Sequence, residues 1–260
     1  MDVVKIGVVT DVHQGPLDIS PYLRRFVDDM NENFHPDIVI DLGDFLGYPA
    51  GEKELKLVNS VFSECEAPCY HTLGNHDVAS VGRQRFKEIT GMKDYWTSMT
   101  IGFLHVILLD GAWGRWGPDI GAGPSGHIIR EELEWLKRDL EGLPKDQPII
   151  IFCHYPIGYP RILTGEGALD NEDELMGILE GYNLIATFGG HHHYGGYKEI
   201  DGVHHICLYS MGWWVEEKIT GSYAKITVTP ERLIVDGEGS QTDYGFRLDC
   251  KRRSLQHHRT

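Results

Sequence analysis

Six short apolar runs, none longer than eight residues, punctuate this 260-residue chain as far as residue 188. They are Val3–Thr10, Asp37–Leu42, Cys69–Leu73, Phe103–Asp110, Pro148–Cys153 and Leu184–Phe188. Their length and β-branched content predict buried strands, because helices of globular proteins run to about ten residues or more. Between the runs the apolar spacing becomes helical. Helices are predicted over Pro21–Phe34, Glu52–Glu64, Val81–Gly91, Ile128–Leu143 and Asn171–Tyr182. Ser20 reads as an N-cap with Pro21 at the first helical position, and Leu133, Leu136 and Leu140 share one helix face. After Tyr197 the pattern turns to strand and hairpin, with Gly202–Met211, Ser222–Val228, a turn at Thr229–Arg232, and Leu233–Glu238. Strands alternating with helices specify an α/β chain. No repeat or linker divides it, so one domain over residues 1–250 and a basic tail over 251–260 are expected.

Charge and cysteine content remove several function classes. The net charge of −15 repels nucleic acid and anionic membrane surfaces, which argues against long nucleic acid as a partner. Bound divalent cations would reverse that potential locally, so small anionic substrates stay open. The five cysteines are odd in number and too sparse for a disulfide scaffold, and Cys65 and Cys69 lack a second pair to complete a zinc site. No apolar run approaches ~18 residues, so no membrane span is expected. The opening MDVVKIGVVTD lacks an apolar core followed by a small-residue cleavage site, and a cytoplasmic location is expected.

Functional residues of α/β folds gather beyond the C-terminal ends of strands. Here those ends carry Asp11 and His13, then Gly43-Asp44, then Asn75-His76-Asp77, then His154, then the triplet His191-His192-His193 between glycine pairs. Singly, each has a plainer use as a turn or cap residue. Together they pose a conflict: buried carboxylates repel one another, and neutral imidazoles gain nothing by joining them. Divalent cations resolve it. Carboxylate, imidazole and amide donors without thiolate suit Mn, Fe, Zn, Co or Ni. In extended backbone residues i and i+2 point the same way, which pairs Asp11 with His13 and His191 with His193, and turns His192 aside.

The order D-x-H, G-D, G-N-H-D, a lone His and G-H-x-H resembles the calcineurin-like metallophosphoesterase superfamily, with all five blocks present between Asp11 and His193. The resemblance implies a four-layer αββα sandwich: two facing mixed β-sheets flanked by helices. It implies two divalent ions, or iron with a divalent ion. One would be held by Asp11, His13, Asp44 and His193, and the other by Asp44, Asn75, His154 and His191. Two such cations ~3.5–4 Å apart share a water and present it as hydroxide to phosphorus. His76 would serve the leaving oxygen, with Asp77 either orienting it or acting as a turn acceptor.

The expected activity is hydrolysis of small phosphodiesters, phosphomonoesters or nucleotide diphosphate links. A non-catalytic interaction scaffold and a nuclease are the alternatives. Gly47 stands where protein Ser/Thr phosphatases of the superfamily have a second aspartate, which disfavours a phosphoprotein substrate. The pattern is closer to cyclic-nucleotide phosphodiesterase-like and ADP-ribose/CDP-alcohol diphosphatase-like members. Substrate contacts are expected from loops: Trp113, Arg115 and Trp116 in Gly111–Gly126, Tyr159 and Arg161 after His154, and Trp213 or Trp214 further on. His204 and His205 sit in a strand pattern and read as structural.

Overall fold

The computed structural model describes residues 2–114, 125–158, 167–215 and 218–248. Two six-stranded sheets carry the fold. The first holds β1 (Val4–Val9), β2 (Ile38–Asp41), β3 (Cys69–His71), β12 (Tyr223–Val228), β13 (Arg232–Glu238) and β14 (Tyr244–Arg247), in the order β14-β13-β12-β1-β2-β3. The second holds β4 (Thr97–Ile101), β5 (Leu104–Leu109), β6 (Pro148–Cys153), β7 (Asn183–Gly189), β8 (Tyr194–Ile200) and β9 (Val203–Tyr209), in the order β4-β5-β6-β7-β9-β8. A short antiparallel hairpin joins β10 (Trp214–Val215) to β11 (Lys218–Ile219). Both large sheets are mixed. β1, β2 and β3 run parallel while β12 pairs antiparallel to β1, and β5, β6, β7 and β9 run parallel between antiparallel edges.

Strand alternation assigns each side chain to a layer. Val4, Ile6 and Val8 of β1 meet Val106, Leu108, Ile150, Phe152 and Phe188 of the second sheet, forming the core between the sheets. Residues of opposite parity, such as Val9, Val39, Ile107 and Ile151, face outward to the helices. Those are α1 (Ser20–Asp29), α2 (Glu52–Phe62), α3 (Asn75–Val81), α4 (Arg83–Thr90), α5 (Arg130–Glu141) and α6 (Glu172–Leu179). Leu23 and Phe26 of α1, Leu55 and Phe62 of α2, and Leu133, Leu136 and Leu140 of α5 supply the buried stripes. Each such side chain contributes about 1.5–3 kcal/mol on burial. The result is the expected α/β arrangement of two mixed sheets flanked by helices.

Local details differ from expectation. The N-cap of α1 is Ile19 rather than Ser20, whose amide and hydroxyl both donate to Asp18 Oδ1. That helix ends at Asp29 and continues as a π-turn over Met30–Phe34, stopped by His35 in the left-handed conformation. Gly82, at φ 75°, separates α3 from α4, so the helix predicted from Val81 begins at Arg83. β4, β8, β10, β11, β14 and α3 have no counterpart among the expected elements. Among the described residues no helix is long and apolar enough to cross a membrane. The basic tail lies outside the described residues.

Candidate metal centre

All five motif blocks follow the C-terminal ends of strands β1, β2, β3, β6 and β7, the third of them opening α3. Asp11, His13 and His193 form one group whose donor atoms lie within 4.8 Å of one another. Asp44, His154 and His191 form a second, and His13, Asp44 and His76 a third, so that Asp44 and His13 each belong to two. His13 Nε2 faces His193 Nε2 at 3.0 Å, and both lie near Asp11 Oδ1, at 3.6 and 3.4 Å. His154 Nε2 lies 3.4 Å from Asp44 Oδ2.

The backbone that delivers these groups is not extended strand. Asp11, His13, Asp44 and His191 have φ of 51°, 52°, 53° and 64°, and they make up four of the six non-glycine residues at positive φ among the described residues. Left-handed backbone is uncommon outside glycine, and its concentration at one place marks a site where local strain is held by surrounding structure. It also corrects the alternation argument for the triplet. His191 and His193 nevertheless fall in different groups, the division that the motif order implies. His192 belongs to neither, and packs toward Gly167, where a Cβ would come 2.9 Å from its ring.

Each carboxylate has one oxygen tied and one free. Asp11 Oδ2 accepts from Thr10 Oγ1 at 2.7 Å and from the His191 amide at 3.0 Å. Asp44 Oδ1 accepts from the His76 amide at 2.8 Å. Their other oxygens, Asp11 Oδ1 and Asp44 Oδ2, are buried and make no hydrogen bond, as are Asn75 Oδ1 and His154 Nε2. His154 Nδ1 donates to the Leu42 carbonyl at 3.0 Å, which leaves Nε2 as the lone-pair nitrogen. Two motif glycines permit the close packing. A Cβ at Gly74 would lie 2.0 Å from Asp44 Oδ1, and one at Gly190 would lie 2.5 Å from Asp11 Oδ2.

The electrostatics favour positive charge. Burial would raise Asp11, yet the imidazoles of His13 and His193 hold it well below the usual carboxylate range. Burial likewise opposes ionisation of Asp44, and His154 and His13 bring it down to about 2. Burial would lower His154, but Asp44 and Asp11 push it up to about 10. The buried carboxylates therefore make this place favourable for positive charge. A divalent cation answers the same field with more charge, and the free oxygen, amide and imidazole atoms are the hard and borderline donors that such ions take.

His76 stands at the open side. Its side chain is 35% exposed, against 12% for His13 and 18% for His193, and its Nε2 lies 4.0 Å from Asp44 Oδ2. Asp77 does not orient it. Asp77 is buried, its Oδ2 accepts the Gly74 amide at 3.0 Å and its Oδ1 accepts the Leu46 amide at 2.9 Å. It caps α3 and binds that helix to the Asp44 turn, which is the turn-acceptor alternative. Of the expected substrate contacts, Arg115, Trp116, Tyr159 and Arg161 lie outside the described residues. Trp113 packs under the Arg83 guanidinium, 3.6 Å from its ring centroid, and meets Tyr95 edge-on. Arg83 in turn donates to Asp110 and to the Ala112 carbonyl, so Trp113 belongs to a buried ion-pair cluster. His204 and His205 bond to Tyr197 and Thr187 and join none of the three groups.

Several supporting residues escaped sequence reasoning. Thr10 and Ser210 brace Asp11, the latter through a 2.8 Å bond to its carbonyl. Asp41 and His71 form a buried pair at 2.8 Å beneath the Asp44 turn, and Asp41 Oδ1 also accepts the Gly43 amide. Burial pushes Asp41 well up and His71 down to about 3. The one available signal was a polar residue inside an apolar run, Asp41 in DIVIDL. A cavity of about 420 Å³ lined by Lys87, Tyr95, Trp96 and Trp135 shares no residue with the three groups.

Comparison with known proteins points the same way. A family model described as calcineurin-like phosphoesterase matches residues 4–195. A manganese-dependent ADP-ribose/CDP-alcohol diphosphatase from Oryza sativa subsp. japonica is 25% identical over 268 residues, covering 85% of this chain and 82% of the relative. A cAMP/cGMP dual specificity phosphodiesterase from Mycobacterium tuberculosis is 26% identical over 187 residues, covering 69% of this chain and 56% of the relative. Among solved structures, a dimetal phosphatase from Danio rerio superposes with a TM-score of 0.78 at 18% identity, over 94% of this chain and 98% of that one. That last likeness is one of fold.

Proposed function

The chain belongs to the calcineurin-like phosphoesterase family, and from that premise we propose that it is a binuclear metal-dependent hydrolase of small phosphodiesters and nucleotide diphosphate links. In this reading Asp11, His13, Asp44 and His193 hold one cation, and Asp44, Asn75, His154 and His191 hold the other. The observation that carries it is the set of buried donor atoms without a hydrogen bond: Asp11 Oδ1, Asp44 Oδ2, Asn75 Oδ1 and His154 Nε2. Leaving such atoms unpaired costs about 1–3 kcal/mol each, more for charged groups, unless something else coordinates them.

Bound there, divalent cations supply Lewis acidity toward a phosphoryl oxygen and acidify water into a nucleophile near neutral pH. The protein's own residues do the rest. Asp11 and Asp44 keep one oxygen each fixed by amide or hydroxyl donors, so the free oxygen needs no reorganisation. His76, partly exposed beside Asp44, supplies a proton or hydrogen bond to the departing oxygen. The substrate class is supported from two sides. One relative is named for ADP-ribose and CDP-alcohols and another for cyclic nucleotides, both small phosphate esters of nucleosides. The net charge of −15 disfavours polymers of phosphate.

The test is a panel of bis-(p-nitrophenyl) phosphate, cyclic nucleotides, ADP-ribose, CDP-alcohols and monoesters on manganese-loaded protein. Manganese-dependent hydrolysis of a diester or diphosphate is expected, with EDTA and Asn75→Ala each removing most of it. Undiminished rates in both would end the proposal. Metal counting on the triplet is the second check. His192→Ala is expected to retain two manganese ions per chain, whereas His191→Ala and His193→Ala each retain about one. Equal loss in all three variants would contradict the ligand assignment.

A further inference from the structure

The side of the centre formed by His193 carries an aromatic surface that the hydrolytic reading does not use. Trp213 packs on the His193 ring with centroids 4.1 Å apart, and Tyr194 meets Trp213 edge-on at 6.4 Å. Tyr194 is 63% exposed, among the most exposed large apolar side chains described, and it follows His193 directly in the chain. One exposed aromatic alone would be ordinary, but here it adjoins a second ring that packs on a candidate ligand, and together they offer π-surface beside the site.

The segment bearing Trp213 is rigidly tied to the residues of the other half of the site. The Met211 amide donates to the Thr10 carbonyl and the Gly212 amide to the Asp11 carbonyl, each at 3.0 Å. Gly212 lies so close to the turn before His13 that a Cβ there would stand 2.1 Å from the Val12 carbonyl oxygen. The Trp213 carbonyl accepts the Thr220 amide at 2.9 Å, which closes the far end. Tyr194 opens β8 in register with Tyr209. The backbone that carries both rings is therefore held close to the candidate ligands.

We propose that Tyr194 and Trp213 form the surface on which the base of a nucleotide substrate stacks while its phosphate sits at the metal centre. The proposal rests on the phosphoesterase reading and narrows it to substrates bearing an aromatic base. Stacking accepts any base, because every base has a π-face, and it holds the uncharged end of the substrate in a protein whose net charge opposes anions. A structural role for Trp213 alone, steadying the His193 ring, predicts different behaviour and is separated by the test.

Binding of AMP and of ribose 5-phosphate to the manganese-loaded chain is measured by calorimetry, with manganese content determined on each sample. The wild type is expected to bind AMP about tenfold or more tightly than ribose 5-phosphate, a margin typical of one stacked base. Tyr194→Ala and Trp213→Ala should erase most of that margin while leaving ribose 5-phosphate affinity and manganese content in place, and Trp213→Phe should keep most of it. Equal wild-type affinity for the two ligands, or a margin that survives both alanine variants, overturns the stacking surface alone. Loss of manganese and of both ligands together in Trp213→Ala, with Tyr194→Ala unchanged, assigns Trp213 to His193 support and overturns it too. Failure of the wild type to bind either phosphate overturns the phosphoesterase reading itself.

Discussion

Asp44→Asn is expected to lower kcat by roughly a thousandfold or more, the equivalent of about 4 kcal/mol of transition-state stabilisation, and to leave fewer than two manganese ions per chain. The size follows from position. Asp44 is the carboxylate shared by two of the three donor groups, and its free Oδ2 faces His154, His13 and His76 at 3.4, 4.0 and 4.0 Å. Asparagine keeps the shape and the acceptor for the His76 amide, so the turn should survive. What it lacks is the charge that draws a cation between the two halves of the site. The Gly74 and Leu46 amides remain bonded to Asp77, which keeps α3 in place through the change. Circular dichroism and metal analysis on the same sample separate a folding loss from a ligand loss.

The second large effect is at His76, and its signature is different. His76→Ala should reduce kcat on alkyl phosphodiesters by about 10²- to 10⁴-fold, the ordinary contribution of a general acid, with manganese content and KM nearly unchanged. The ring can be removed cleanly because the bond that matters to the metal centre comes from the His76 backbone amide, which alanine retains. Its side chain is more exposed than those of His13, His154 and His193, as a donor to substrate must be. Dependence on the leaving group is the sharper readout. A p-nitrophenolate departs without protonation and should lose far less rate than an alkoxide; equal losses on both would remove His76 from the leaving-group role.

Much of this architecture is legible in the amino-acid order, for a physical reason. A parallel strand buried on both faces must be apolar throughout, so β1, β2, β5, β6 and β7 announce themselves, and the polar residues just beyond them are conspicuous. The same contrast exposes the order of the five motif blocks. What the sequence hides is backbone conformation and everything contributed from afar. Asp and His tolerate left-handed φ better than most residues, but nothing local requires it at Asp11, His13, Asp44 or His191, and supporting contacts come from far along the chain, as Ser210 Oγ does to the Asp11 carbonyl. The motif order divides His191 from His193 as the donor groups do, but the left-handed φ of His191 is not visible in it.

The Asn75-His76-Asp77 block shows the same limit at short range. Its composition suits a turn, and only the Asp44 turn, approached through Gly74, reveals that it opens a helix with Gly74 as N-cap and Asp77 accepting the Gly74 amide. Trp113 and Trp213 are equally undistinguished in sequence. One packs on a guanidinium in the ion-pair cluster of Arg83 and Asp110, and the other on an imidazole of the candidate metal centre. Partners chosen by tertiary contact decided the matter, which is why local pattern could name the tryptophans but could not sort them.

In the proposed site the strand-end residues hold two metal ions with Asp44 between them. Anomalous diffraction at the manganese edge from crystals grown with manganese tests it most directly. Two peaks are expected, one within ligand distance of Asp11, His13 and His193, the other of Asn75, His154 and His191, with Asp44 reaching both. A single peak, or peaks away from these residues, would contradict the claim.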